Sequence, residues 1–188
     1  MTTVTPPDNP VGKDQVVAAT LAAAAELFAE RGPAATSIRD IAARAKVNHG
    51  LVYRHFGAKD RLVGAVLEHL GASLTERVAA GAPGTEIDQM LDQQTRVMVR
   101  ALLDGYPVGQ LQTRFPGVAM LLDEAIPRFD DEREARLAVA NAVALQLGWR
   151  LFGPFLRAAA GIEGNEQDVR QVVATEIARI LSTGTVSS

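Results

Sequence analysis

The stretch from Thr36 to Phe56 constrains this chain more than any other, because it sets two helix starts within a few turns of each other. Ser37 is placed to accept the orphan amides of a first helical turn, and Asp40 follows three residues on, where a carboxylate suits the positive helix end. Thr36 is the competing cap. Ile38, Ile41, Ala42 and Ala45 fall at helical spacing, while Arg39, Asp40 and Arg44 lie outside that face. Ala45, Lys46 and Val47 then form a turn into Asn48, a second good cap. A helix from His49 to about Phe56 follows, with Val52 and Phe56 stacked one turn apart. Two short helices joined by a tight turn are a helix-turn-helix.

If Val47, Val52 and Phe56 point inward, the outer face of the second helix carries His49, Gly50, Leu51, Tyr53, Arg54 and His55. Such a set is useless for a core and useful against a nucleic-acid groove. Arg54 can bond a guanine edge, Leu51 can touch a thymine methyl, and Gly50 removes a side chain so that backbone and groove approach closely. Alone, the same residues fit an amphipathic helix with a solvated basic face, and His55 fits a hydrogen-bonded surface histidine. Charge distribution bears on the choice. The net charge of −3 argues against a nucleic-acid partner only if it is evenly spread. Residues 31–61 hold seven Lys and Arg against two Asp and Glu, whereas residues 62–188 hold eleven against sixteen. The cations gather on the motif, as phosphate contact requires.

The run Thr36-Ser37-Ile38-Arg39-Asp40-Ile41-Ala42, then Val47-Asn48, Gly50, Val52-Tyr53, His55-Phe56, and finally Lys59-Asp60 and Leu62, resembles the DNA-binding domain of the TetR/AcrR family of repressors. The resemblance covers roughly residues 13 to 70, and the whole motif recurs in register. It implies that Thr36, Tyr53, His55 and Lys59 hold phosphates and that His49, Gly50, Leu51 and Arg54 face bases. Arg39, Lys46 and Asn48 complete the candidate DNA-binding set. Two positions depart from the family pattern. Lys46 replaces a turn glycine, which costs about 1 kcal/mol if the position needs a positive φ. Ala58 replaces a capping serine or asparagine, at a cost of about 1 kcal/mol to the next helix.

The rest of the chain reads as helices separated by breakers. Its composition, 47% hydrophobic but only 5% aromatic, suits packed helices, and runs of β-branched residues with period-two alternation are absent. The fold class is therefore all-α, and the resemblance implies an N-terminal three-helix helix-turn-helix domain followed by a helical ligand-binding and dimerisation domain. The boundaries expected are a flexible N-terminal arm over 1–12, the DNA-binding domain over 13–58 and the regulatory body over 59–188. Helix 1 runs from about Lys13 to Arg31 on a stripe of Val17, Leu21, Ala24, Leu27 and Phe28, closed by Gly32-Pro33. The next, from Lys59 to about Ala80, faces Leu62, Val66, Leu70 and Leu74 inward. Another starts at Thr85 with Asp88 and runs to Gly105, carrying Ile87, Met90, Leu91, Val97, Met98 and Leu102. Short helices are expected near Val108–Thr113 and Val118–Ala125.

From Asp130 to about Ala160 the apolar residues circle the helix, which predicts burial all round. Asn141, Gln146, Arg150 and Pro154 interrupt it, so no membrane span is expected. A last helix, about Glu166 to Leu181, presents Val169, Val172, Val173, Ile177 and Ile180. This closing pair has more apolar surface than one small domain can hide. The resemblance implies that these two helices form the four-helix bundle of a homodimer.

The function expected is a DNA-binding transcriptional regulator, a repressor released from a roughly palindromic operator by a small-molecule effector. Gln94, Met98, Tyr106, Gln112, Arg114, Phe115, Trp149 and Phe152 are the candidates to line its pocket, although plain core and helix surface explain each of them too. A ligand-independent DNA-binding or bridging protein is the alternative. No Ser/His/Asp arrangement or glycine-rich phosphate loop points to an enzyme, and no cofactor is implied. His49 and His55 lack a third ligand at metal spacing, and the chain contains no cysteine. Met1 to Asp14 lacks the apolar core of a signal peptide, so a cytoplasmic protein is expected.

Overall fold

In a computed structural model the described residues are 12–182, and the chain divides after Arg114 into two compact units. The arm expected over 1–12 falls, but for Gly12, outside the described residues. Among those described there is no strand.

The first unit is built from six helices: α1 Lys13–Arg31, α2 Ile38–Ala45, α3 His49–Phe56, α4 Lys59–Ala79, α5 Gly84–Leu103 and α6 Val108–Leu111. α1 is its axle, touching α2, α3, α4 and α5. That is why its burial is wider than one stripe. Val16, Ala23 and Ala25 are buried beside Leu21, Ala24, Leu27 and Phe28, and Thr20 gives its hydroxyl to the Val16 carbonyl at 2.7 Å. Phe28, Ile41, Val52, Leu62, Val63, Val66 and Val97 are fully buried in one continuous core. Emptying the Phe28 site with alanine costs about 3–5 kcal/mol. On α5 the inward residue of the last turn is Ala101, while Leu102 is turned out and half exposed.

Two backbone features fix this unit. Gly32 ends α1 with φ +82° and returns its amide to the Phe28 carbonyl. Gly64 lets α4 meet α6 main chain to main chain, since a Cβ there would lie 2.1 Å from the Leu111 carbonyl oxygen. The end of α4 is forked to the start of α5, with the Arg77 Nε and Nη2 donating to the two Glu86 oxygens at 2.6 and 2.9 Å.

The second unit holds α7 Pro116–Ala125, a 3₁₀ turn Ile126–Arg128, α8 Glu132–Ala160 and α9 Glu166–Ser182. α7 starts at Pro116 rather than near Val118, because a proline at the first helical position loses an amide that has no partner there anyway. Asp131 caps α8 by accepting the Arg133 amide, and the helix runs through Pro154 without ending. Its core is small: Ala125, Val139, Ala142 and Leu181, with Val118, Leu122, Val143, Ile177 and Ile180 packed against it. The expectation that α8 is buried all round is corrected. One side packs on α7 and α9, while Leu137, Phe152 and Phe155 stay 55%, 58% and 68% exposed. α9 leaves Val172 in the open as well. No described helix is long and apolar enough to cross a membrane.

Candidate nucleic-acid interface

The reader is fixed at both of its helix starts. Ser37 accepts the Asp40 amide at 3.1 Å and Asp40 accepts the Ser37 amide at 2.9 Å, so the cap of α2 is reciprocal. The Ser37 amide, then its hydroxyl, then the Arg31 guanidinium at 2.9 Å hold the Asp40 carboxyl below its usual range. Thr36 does not compete. Its hydroxyl is buried and donates to the Gly32 carbonyl at 2.8 Å, so its side chain braces the corner between α1 and α2.

Lys46 occupies the turn at φ 55°, ψ 39°, alone among the described non-glycine residues in having a positive φ. The turn therefore needs the left-handed conformation, and a lysine bears the strain. Asn48 caps α3 by accepting the Gly50 amide at 2.8 Å. Gly50 has a local reason beside any groove contact, because a Cβ would stand 3.1 Å from that capping oxygen. Val52 is fully buried and Phe56 packs on the same core, so α3 is anchored by one edge.

What α3 leaves outside is His49, Gly50, Tyr53 and Arg54, with Leu51 and His55 half-buried at the margin. Tyr53 is 67% exposed, an apolar ring with a hydroxyl tip and nothing in its own unit to cover it. The basic side chains divide into two groups. Arg44 is held by Glu26 at 2.8 Å and by Glu30 at 3.3 Å, and Arg31 by Asp40, so both are spent on joining α1 to α2. Among the described residues Arg39, Lys46, Arg54 and Lys59 enter no ion pair. Lys59 opens α4 behind Ala58, which offers no side-chain cap. A cation at an uncapped positive helix end is locally unfavourable and becomes favourable when an anion arrives.

The sequence pattern of the bacterial regulatory proteins of the tetR family matches residues 21–66, from the middle of α1 to the first turns of α4. The HTH-type transcriptional repressor Rv3405c of Mycobacterium tuberculosis is 63% identical over 173 residues, covering 92% of each chain. The chain belongs to the tetR family of bacterial regulatory proteins. It is accordingly a DNA-binding transcriptional regulator. The HTH-type transcriptional regulator Mb3439c of Mycobacterium bovis is similar to the same degree. The HTH-type transcriptional repressor KstR2 of Rhodococcus jostii is 40% identical over 84 residues, 42% of this chain and 41% of that one. A crystal structure of a HlyIIR mutant protein shares the fold, with a TM-score of 0.53 at 19% identity, covering 94% of this chain and all of that one.

In this tetR-family chain the eight side chains expected to line a pocket fall in both units. Gln94, Met98, Tyr106, Gln112 and Arg114 belong to the first, where Met98 and Tyr106 pack on its core and Gln112 bonds the Val108 carbonyl at 3.2 Å. Burial raises the Tyr106 phenol above its usual value, and the charges of Asp60 and Asp104 add to this. Phe115, Trp149 and Phe152 belong to the second unit. A cleft there of about 470 Å³ is lined by other residues, chiefly Val118, Leu122, Val139, Val143 and Leu147, with Arg136 at its edge. Sequence spacing gave no signal for that set, because its residues come from two helices a loop apart. Among the described residues no group of three or more His, Cys, Asp or Glu is arranged to hold a metal ion.

Proposed function

We propose that this regulator is a homodimeric cytoplasmic repressor whose two readers lie in successive major-groove faces of a roughly palindromic operator, and that a small-molecule effector lowers its hold on DNA. The observation that carries the reading is the outer face of α3, where Tyr53 and Arg54 are exposed while Val52 and Phe56 lock the helix down, in a reader whose Arg39, Lys46 and Lys59 enter no ion pair among the described residues. In this arrangement Arg54, Leu51, His49 and Gly50 address base edges. Tyr53, His55, Lys59, Arg39, Lys46 and Asn48 address the backbone. The printed name of the Mycobacterium tuberculosis relative supports repression. The apolar faces of α8 and α9 left open in one chain support a second copy as partner.

An effector site in the helical body is supported by the apolar cleft between α7 and α8, whose volume suits a small molecule. Ligand-independent regulation is the second reading. It is favoured by the division of the eight candidate side chains between two units and by their absence from that cleft. One experiment separates the two. An operator is selected from a random duplex pool, compounds that raise the thermal stability of the free protein are collected, and each is titrated against the complex. An effector that loosens operator must bind the complex more weakly by the same factor, typically about 5- to 150-fold. Stabilising compounds that leave operator affinity untouched across a broad library favour the second reading.

A further inference from the structure

The loop between α1 and α2 is gripped at a single residue from two sides. Asp104, which ends α5, places Oδ2 2.6 Å from the Ala34 amide, and the Ala34 carbonyl accepts the Lys59 ammonium at 3.5 Å. The loop is shaped to admit the carboxylate. Gly32 lies beside it at φ +82°, and a Cβ at that position would stand 2.7 Å from the same Oδ2. Asp104 also sits where its own helix disfavours it, since the last turn of a helix carries partial negative charge. A carboxylate at a helix C-terminus is a local conflict, and here the Ala34 amide is what resolves it.

We infer that Asp104 is a positioning residue for DNA binding: by fixing Ala34 it presents Lys59 at the start of α4 to a phosphate. This rests on Lys59 being a phosphate contact, as proposed above. A lysine side chain has many rotamers, and a carbonyl that holds its ammonium near the working position lowers the entropy lost when DNA arrives. At 3.5 Å the tether is loose enough to be exchanged for a phosphate oxygen. A residue far along the chain, on a helix outside the reader, then sets affinity for every sequence alike, because phosphates carry no code.

The test is a double-mutant cycle on the full-length chain, titrating a labelled random-sequence duplex pool over a range of salt. D104A is expected to weaken binding by about 2- to 12-fold, the worth of one hydrogen bond, and to flatten the salt dependence by about one phosphate contact. K59A is expected to cost much less in the D104A background than in the wild type. D104N keeps an oxygen for the Ala34 amide and is expected to retain most of the affinity; if D104A fails to fold, the same cycle is run with D104N, whose smaller loss is again expected to shrink in the K59A background. Losses that multiply in the double variant, with K59A alone flattening the salt slope, overturn the role of Asp104 and leave Lys59 as a phosphate contact. A K59A variant with unchanged affinity and salt slope overturns both.

Discussion

Glu68, midway along α4, takes the amide and the hydroxyl of Thr113 on one carboxylate oxygen, at 2.5 and 2.9 Å. The Arg114 amide reaches the same oxygen at 3.2 Å and its guanidinium lies 3.5 Å from the other. One side chain thus clasps the chain just past α6 to the middle of α4. Burial by itself would raise the Glu68 pKa, but the donors from Thr113 and Arg114 outweigh it and leave the carboxyl below its ordinary value of 4.5.

That shift fixes the sign of a pH effect. A carboxyl depressed in the folded state contributes stability above its unfolded pKa and loses it as pH falls through the folded value. Unfolding by denaturant is expected to show stability constant above about pH 5 and declining below 4.5. Glu68→Gln is expected to lower stability at pH 7 by about 1–3 kcal/mol and to make the acid decline shallower. An acid limb unchanged in the variant would show that Glu68 is not its source.

Lys46→Gly is expected to stabilise the free protein by about 1 kcal/mol, since glycine takes φ 55° without a Cβ clash. The same change removes a cation from the reader. Binding to random duplex is expected to weaken while the melting temperature rises, two shifts of opposite sense from one substitution.

Ala58→Ser supplies the missing cap of α4. Its backbone, at φ −69° and ψ 153°, is already in the extended conformation that a cap requires. A gain of about 1 kcal/mol in unfolding free energy is expected. No gain would mean that water already satisfies the first amides.

Arg54→Ala is expected to weaken the selected operator by about 1–3 kcal/mol and to relax sequence choice at one position. Competition between operator and random duplex measures it. An equal loss on both would reassign Arg54 to the backbone.

Phe155→Lys places a charge on the most exposed aromatic ring of α8. Sedimentation of the wild type at micromolar concentration is expected to give a dimer, and of the variant a larger monomer fraction. A wild-type monomer under those conditions would remove the palindromic reading with it.

Most of what was legible in the sequence was local. Caps at Ser37 and Asn48, the breaker Gly32-Pro33 and helical spacing act within a turn or two, so the ends of α1, α3 and α9 could be placed nearly to the residue. Thr36 shows where that logic stops. It read as a competing cap and, by resemblance, as a phosphate contact, but the Gly32 carbonyl four residues back takes its hydroxyl. Asp104 and Ala34 are 70 residues apart and have no periodicity in common, so only the packing of α5 on α1 brings them together. On α8, apolar residues all round were visible, but whether a given face meets its own chain or another is not written in spacing. Leu137 and Phe155 look no different from Val139 until α7 and α9 are in place.

Gly64 has a consequence for anyone wishing to redesign the interior of the first unit. Most core positions tolerate a methyl more or less, because neighbouring side chains yield. Against the Leu111 carbonyl there is no side chain to yield, only main chain on both sides. The gap between α4 and α6 is therefore a fixed dimension of the scaffold. Libraries that vary the surroundings can reshape the interior freely, but any that include position 64 will return glycine.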